Sequence, residues 1–140
     1  MKEMLNRERK GFTLIEILVV VVIIAILAAI SVPIYVQYVQ GARASDAQSQ
    51  IGAIYNAAKM FYMDRDRWPT TVEELETYGY IQMDEAVSRQ WEFSLNGQET
   101  IEAISTGEMP GGAGKTVTYN IQQGKFFGYG LPSEGDGSSF

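Results

Sequence analysis

The order of apolar and polar residues predicts a membrane-spanning helix near the start of the chain. From Phe12 to Val36 almost every side chain is apolar; the polar exceptions are Thr13, Glu16, Ser31 and Tyr35. As a helix this stretch would be about 37 Å long, more than the roughly 30 Å hydrocarbon core of a bilayer. It is also longer than the roughly 7 to 15 apolar residues of a conventional secretion signal.

After Val36 the helical period continues, but only one face stays apolar. The apolar positions recur at intervals of three and four residues: Ala47, Ile51, Ile54, Tyr55, Ala58 and Phe61. This spacing is typical of an amphipathic helix that packs on one side. We therefore predict one helix over residues 12 to about 63, with a membrane-spanning half at 12–36 and an amphipathic half at 37–63.

Residues 64–132 predict a globular head that begins with a short helix. The charge alternation Asp64-Arg65-Asp66-Arg67 ends the long helix, either as a solvated turn or as a contact between subunits. Thr71 predicts an N-cap with Glu74 as its capping-box partner, and Gly79 a C-terminal stop. The short helix is expected at 71–78, with Leu75 and Tyr78 facing inward.

The rest of the head predicts a four-stranded antiparallel sheet. Alternating patterns place strands at about 90–95, 99–106, 116–121 and 125–129. Asn96-Gly97 is a strong hairpin signal between the first two. A sheet packed on the amphipathic half of the helix would bury Trp91, Phe93, Ile101, Ala103, Val117, Tyr119 and Ile121. The expected fold class is α+β, followed by a loose tail at 133–140.

Composition removes several classes of function. The 140 residues include neither cysteine nor histidine, which removes thiol chemistry, disulfides, and the commonest general base and metal ligand. Residues 1–11 hold four basic and two acidic side chains, so the chain without them has 7 basic and 15 acidic residues, a net charge of −8. We predict no nucleic-acid partner, because phosphate contacts need clustered lysine and arginine.

No arrangement of residues predicts an enzyme. Glu73, Glu74 and Glu76 are expected to be helix-face charges rather than a paired acid and base. The segment Gly111–Thr116 ends like a phosphate-binding loop, but that motif needs glycine where this chain has Met109. We predict a flexible hairpin loop there, no catalytic residue and no cofactor.

The residues around the start of the apolar stretch form a motif. Arg7, Arg9 and Lys10 precede it and place the N-terminus on the cytoplasmic side. A single carboxylate, Glu16, lies five residues into the apolar stretch, where insertion scales assign a charge a cost of about 2.5 to 3.5 kcal/mol at the centre of a span. Buried between packed subunits, Glu16 would need a positive partner.

The segment from Lys10 to Glu16, Lys-Gly-Phe-Thr-Leu-Ile-Glu, resembles the signal of type IV prepilins and type II secretion pseudopilins. The resemblance implies that a prepilin peptidase removes the leader 1–11 by cutting between Gly11 and Phe12, and that Phe12 is then N-methylated. It implies the type IV pilin fold, a helix kink at Pro33, and pairing of Glu16 with the free amine of Phe12 on a neighbouring chain.

The implied function is that of a structural subunit of a type IV pilus-like filament. Its partners would be membrane lipid before assembly, an inner-membrane assembly platform, and identical subunits in a helical homopolymer. The precursor would cross the inner membrane once, and the filament would lie at the cell surface, or in the periplasm if it is a secretion pseudopilus. Major pseudopilins hold calcium in a C-terminal loop; Glu134 and Asp136 alone fall short of such a site.

Two other classes of protein stay open. One is a single-pass, membrane-anchored binding module that does not polymerise, although a plain anchor has no use for Glu16. The other is a secreted protein cut near Ala29, although the helical pattern continues across that point to Phe61. The mass of the mature chain distinguishes these alternatives.

Overall fold

The computed structural model describes residues 10–132, an α+β chain in which a long N-terminal helix precedes a small antiparallel sheet. This confirms the predicted fold class and is consistent with the type IV pilin fold. The elements are helices α1 (Leu14–Arg65), α2 (Val72–Thr77) and α3 (Glu85–Gln90), and strands β1 (Trp91–Asn96), β2 (Thr100–Ser105), β3 (Thr116–Asn120) and β4 (Lys125–Gly128). The chain divides into two compact units after Val36.

In the first unit, α1 presents its apolar side chains outward. The large apolar residues from Phe12 to Val36 are all exposed, from 46 % at Val36 to 91 % at Leu14. By length and composition, α1 is the one helix of the described residues that could cross a membrane. The helix continues through Pro33, so helical structure is not interrupted there, and a bend at Pro33 stays a prediction.

In the second unit, the four strands form a meander in the order β1-β2-β3-β4, with every neighbouring pair antiparallel. Asn96 pairs with Thr100 across the first hairpin, and Gly97 occupies the turn with a φ of 58°. This confirms the hairpin that Asn96-Gly97 predicted, because glycine adopts a positive φ without steric cost.

The core lies between the amphipathic part of α1 and one face of the sheet. From α1 it contains Ala44, Ala47, Ile51, Ile54, Ala57, Ala58 and Phe61. Of the predicted sheet residues, Trp91, Ile101, Ala103 and Val117 are fully buried, whereas Phe93, Tyr119 and Ile121 are half-buried and pack against the core from its margin. Tyr55, predicted on the buried stripe of α1, is also half-buried and meets the Tyr119 ring edge-on at 5.6 Å.

Two features of the head differ from the prediction. Helix α3 was not predicted; Asp84 caps it by accepting hydrogen bonds from the backbone N–H groups of Ala86 and Val87 at 2.8 and 3.2 Å. Tyr78, expected to face inward, is 48 % exposed. Its ring lies 5.8 Å from that of Phe61 and takes the Arg65 guanidinium at 3.8 Å from its centroid, so Tyr78 covers the core edge rather than entering it.

The charged residues 64–67, at the end of α1 and just after it, are exposed, but their side chains have partners. Arg67 forms an ion pair with Glu74, and the Tyr80 hydroxyl donates a hydrogen bond to Asp64 at 2.8 Å. Thr71 is the N-cap of α2 as predicted, accepting from the Glu74 N–H at 3.2 Å. The Glu74 carboxylate, however, accepts a hydrogen bond from the Thr70 N–H at 2.9 Å rather than from the Thr71 N–H, which the predicted capping box requires.

Candidate functional site

The predicted cleavage site lies immediately outside the long helix. Helix α1 begins at Leu14, and residues 10–13 have no regular secondary structure. Gly11 and Phe12 are both exposed, Phe12 at 85 %, and a Cβ atom built on Gly11 would meet nothing within 4 Å. The peptide bond between Gly11 and Phe12 is therefore reachable by a protease without unwinding any helical turn.

Thr13 and Glu16 form a reciprocal cap at the start of α1. The Glu16 N–H donates to the Thr13 hydroxyl at 3.3 Å, and the Thr13 N–H donates to the Glu16 carboxylate at 3.2 Å. These are the two bonds of a capping box. The signal was present as Thr-x-x-Glu at positions 13–16, but sequence reasoning read Glu16 only as a charge in an apolar stretch and missed its local partner.

The cap shows how a carboxylate is accommodated at this depth of the apolar segment. Glu16 lies in the first turn of α1, where the helix dipole favours a negative charge by about 0.3 to 1 kcal/mol. No cationic side chain pairs with Glu16 among residues 10–132. The carboxylate is thus held in position by its own backbone while its charge is left uncompensated by any described side chain.

Glu134 and Asp136, the possible calcium ligands, lie outside the described residues. Within residues 10–132, no group of three or more acidic side chains could hold a metal ion.

The glycine-rich segment that resembled a phosphate-binding loop connects β2 to β3 and leads into a strand, as predicted. Ser105 cross-links it: the hydroxyl donates to the Gly112 carbonyl at 2.7 Å and accepts from the Lys115 N–H at 2.8 Å. The backbone N–H of Gly114 donates to the Ser105 carbonyl at 2.9 Å. The segment is therefore a hairpin loop, as predicted, and the N–H groups of Gly114 and Lys115 are hydrogen-bonded within the fold.

Comparison with known proteins supports the N-terminal motif. Residues 6–32 match the family model described as the prokaryotic N-terminal methylation motif. The chain is 37 % identical over 82 residues to the type IV major pilin protein PilA of Myxococcus xanthus, covering 54 % of this chain and 37 % of that protein. It is 41 % identical over 73 residues to the type II secretion system core protein G of Aeromonas hydrophila, covering 52 % and 51 %.

A further relative is the type IV major pilin protein PilE1 of Neisseria gonorrhoeae, with 37 % identity over 65 residues, 46 % of this chain and 39 % of that protein. The matched stretches thus span between about a third and a half of these relatives. The relatives are structural proteins and not enzymes. The resemblance drawn from residues 10–16 is confirmed: this chain carries the prepilin-type N-terminal methylation motif, and over about half of its length it is similar to type IV pilins and type II secretion pseudopilins.

Proposed function

We propose that the chain is a structural subunit that polymerises into a type IV pilus-like filament after its leader is removed. The observation that carries the proposal is the first unit, an apolar helix with all its large side chains exposed that begins just after the Gly11–Phe12 bond. Such a surface needs either lipid or other helices around it. In the pilins and pseudopilins that the chain resembles, the packed helices of a filament provide this second environment.

The proposed sequence of events is the one that the resemblance to pilins and pseudopilins implies for Gly11, Phe12 and Glu16. The precursor is held in the inner membrane by α1 with its basic N-terminus inside. A prepilin peptidase cuts the exposed Gly11–Phe12 bond, and the new amine at Phe12 is methylated and keeps its positive charge. An assembly platform then moves subunits out of the bilayer, and their helices exchange lipid for one another. The filament lies at the cell surface or in the periplasm.

Glu16 supplies the specific contact in this process. Within a single chain the Glu16 carboxylate accepts a hydrogen bond from the Thr13 N–H. Between packed helices an unpaired carboxylate is costly, and the Phe12 amine of a neighbouring chain offsets that cost through a charge-assisted hydrogen bond. The chemistry of the pair favours side-by-side packing with a defined stagger, because each Glu16 must lie at the level of another chain's N-terminus.

The first test is the intact mass and N-terminal sequence of the protein purified from its native cells. We expect a chain that starts at Phe12 and carries one N-methyl group. A chain that starts at Met1, or one cut near Ala29, has no free amine at Phe12 for Glu16 to pair with, and it would overturn the proposal in favour of a membrane-anchored or a secreted module.

The second test separates the charge of Glu16 from its role in the cap. Glutamine also closes a capping box, so Glu16→Gln keeps the helix start but removes the charge, whereas Glu16→Ala removes both. We expect both variants to insert in the membrane and both to lose most of their filaments, as measured by shearing filaments from cells and quantifying them. Normal filament yield from Glu16→Gln would show that charge pairing is not required.

A further inference from the structure

The turn between β1 and β2 places two groups side by side that can react with each other. Asn96, the last residue of β1, ends in a carboxamide, and the next residue is Gly97, whose backbone nitrogen is a nucleophile once it has lost its proton. Both residues are exposed to solvent. Attack of this nitrogen on the side-chain carbon Cγ of Asn96 closes a five-membered ring, so no second molecule has to bring the reacting groups together.

The Gly97 nitrogen is unprotected. Its N–H donates no hydrogen bond within the part of the chain that the structure describes, so no such bond has to be given up when the proton leaves. A Cβ atom built on Gly97 would meet nothing within 4 Å, so neither a side chain of its own nor a neighbour crowds the nitrogen. Glycine also rotates about its backbone bonds more freely than other residues, which lets the nitrogen approach Cγ.

The Asn96 carboxamide is held at one atom. Its Nδ2 donates to the Thr100 hydroxyl at 3.2 Å, and the carboxamide makes no other hydrogen bond within residues 10–132. A single exposed bond at the long end of the usual range opposes rotation of the side chain only weakly. The paired register of β1 and β2 also ends at Asn96 and Thr100, so the reacting residues lie at the open tip of the hairpin.

The turn between β3 and β4 provides a protected counterpart. Asn120 also ends a strand, but the next residue is Ile121, whose N–H donates to the Glu99 carbonyl at 2.9 Å. The Asn120 Oδ1 accepts a hydrogen bond from the Gln123 N–H at 2.9 Å, which fixes the carboxamide in the turn. Isoleucine is in addition branched at Cβ and stiff. The fold therefore leaves one strand-end asparagine open to attack and closes the other.

We infer that Asn96 is a site of spontaneous deamidation in the folded protein. The Gly97 nitrogen forms a bond to Cγ of Asn96, the bond from Cγ to Nδ2 breaks, and Nδ2 leaves as ammonia with the proton that the Gly97 nitrogen gave up. The product is a cyclic succinimide. One water molecule then opens the ring at either carbonyl and gives aspartate or isoaspartate. In sum, asparagine and water yield an acid and ammonia, with no oxidation or reduction.

Both products alter the tip of the hairpin. Each adds a negative charge across the turn from the exposed Glu99. Isoaspartate also routes the main chain through the former side chain, which adds one carbon to the backbone at the last pair of the β1–β2 register, Asn96 with Thr100. The inference is independent of the proposed function, because the reaction needs only the folded head and water.

Peptide mass spectrometry of the full-length chain, kept folded in detergent and aged at neutral and at mildly alkaline pH, tests the inference. Cleavage after lysine and arginine places Asn96 in the peptide 90–115 and Asn120 in the peptide 116–125. Deamidation replaces NH by O and raises the mass of a peptide by about one dalton, and fragmentation of the peptide locates the changed residue.

We expect residue 96 to be modified about fivefold or more faster than residue 120, since a hydrogen bond of ordinary strength shifts an equilibrium by about that factor. The rate should rise with pH, because the attacking nitrogen must lose its proton. Tryptophan fluorescence verifies that the aged chain is folded. A folded chain that is unmodified at residue 96, or equally modified at both residues, would overturn the inference.

A matched pair of variants locates the reaction. Asn96→Gln keeps a carboxamide, but its longer side chain has to close a six-membered ring, so we expect the modification of peptide 90–115 to be lost. Asn120→Gln, the control, makes the same change at the protected strand end and should leave the modification of peptide 90–115 at the wild-type rate. Modification of peptide 90–115 that persists in Asn96→Gln would place the reaction at another residue and overturn the inference.

Discussion

At the scale of single residues, Glu74 ties the end of α1 to the start of α2. Its carboxylate pairs with Arg67 and accepts hydrogen bonds from the Thr70 N–H and hydroxyl. The bond from Arg67 is the largest cause, and the Thr70 N–H the next, that lower the pKa of Glu74 from its ordinary value of 4.5 to about 2. A carboxylate whose pKa is lower in the folded state than in the unfolded chain stabilises the fold at every pH at which it is ionised.

This predicts a specific loss of stability in acid. The contribution of Glu74 is fully present above about pH 4.5, the pKa of the unfolded chain, and it disappears as the pH falls toward 2. Glu74→Gln should therefore lower the melting temperature at neutral pH and flatten its decline between those two pH values. Tryptophan fluorescence of the full chain in detergent measures both.

The neighbouring Glu73 provides the control, because it is exposed and has no ion pair within the described residues. We expect Glu73→Gln to melt like the wild type at every pH. If Glu74→Gln and the wild type lose stability in parallel as the pH falls, the ion pair with Arg67 does not stabilise the fold.

At the scale of elements, a glycine allows the chain after β4 to pack on α1. Gly130 has a φ of 70°, and a Cβ atom there would overlap the Gln40 carbonyl and crowd the Ala44 side chain. Gly124, in the turn before β4, has nearly the same φ of 67°, but a Cβ atom there would meet only the Tyr119 hydroxyl, at an ordinary contact distance of 4.0 Å. The two positions therefore separate the cost of a left-handed backbone from the cost of a steric clash.

We predict that Gly124→Ala lowers the free energy of unfolding by about 1 to 2 kcal/mol, the cost of a left-handed conformation for alanine. Gly130→Ala should lower it by about 2 to 5 kcal/mol, because overpacking against α1 adds to that cost. Urea denaturation of the full chain in detergent, followed by tryptophan fluorescence, gives both values. Equal losses would mean that the contact between Gly130 and α1 is loose.

Prediction from sequence succeeded where an element has a long or repeated signal. The apolar stretch and the amphipathic stripe predicted α1. The alternation of apolar and polar residues, together with the hairpin signal Asn96-Gly97, predicted the sheet. Helix α3 was missed because it has six residues, of which only Val87 packs against the core. Tyr78 was misplaced because the periodicity of a six-residue helix does not reveal that the residue after its end would lie against Arg65 and Phe61.

The candidate site residues Gly11, Phe12 and Glu16 stay predictions, and their geometry was not predicted. The order of residues along the chain identifies Gly11, Phe12 and Glu16 as candidates. It does not predict that the helix begins at Leu14, because that depends on which of several residues caps the first turn. Thr13 decides this, because its hydroxyl and backbone N–H both bond to Glu16.

At the scale of the whole molecule, every described residue that is fully buried lies in the second unit, from Ala44 onward. The first unit contributes exposed apolar side chains and no core. The stability of the head and the solubility of the chain therefore depend on different residues, and mutations in one unit are expected to leave the property set by the other unchanged.

We predict that a fragment of residues 37–140 folds without the first unit. It should be a monomer in aqueous buffer by size-exclusion chromatography and unfold in urea in a single cooperative transition, because its core is complete. The full chain, used as the control, should require detergent. A fragment that aggregates or unfolds without a cooperative transition would show that residues 1–36 are needed for the core.

The bonding of Ser105 across the glycine-rich loop has a chemical consequence. Its hydroxyl and its backbone groups together reach Gly112, Gly114 and Lys115, so one small side chain closes the loop as a clasp. Because hydrogen bonds close this loop in a chain without cysteine, its closure does not depend on whether the surroundings are oxidising or reducing.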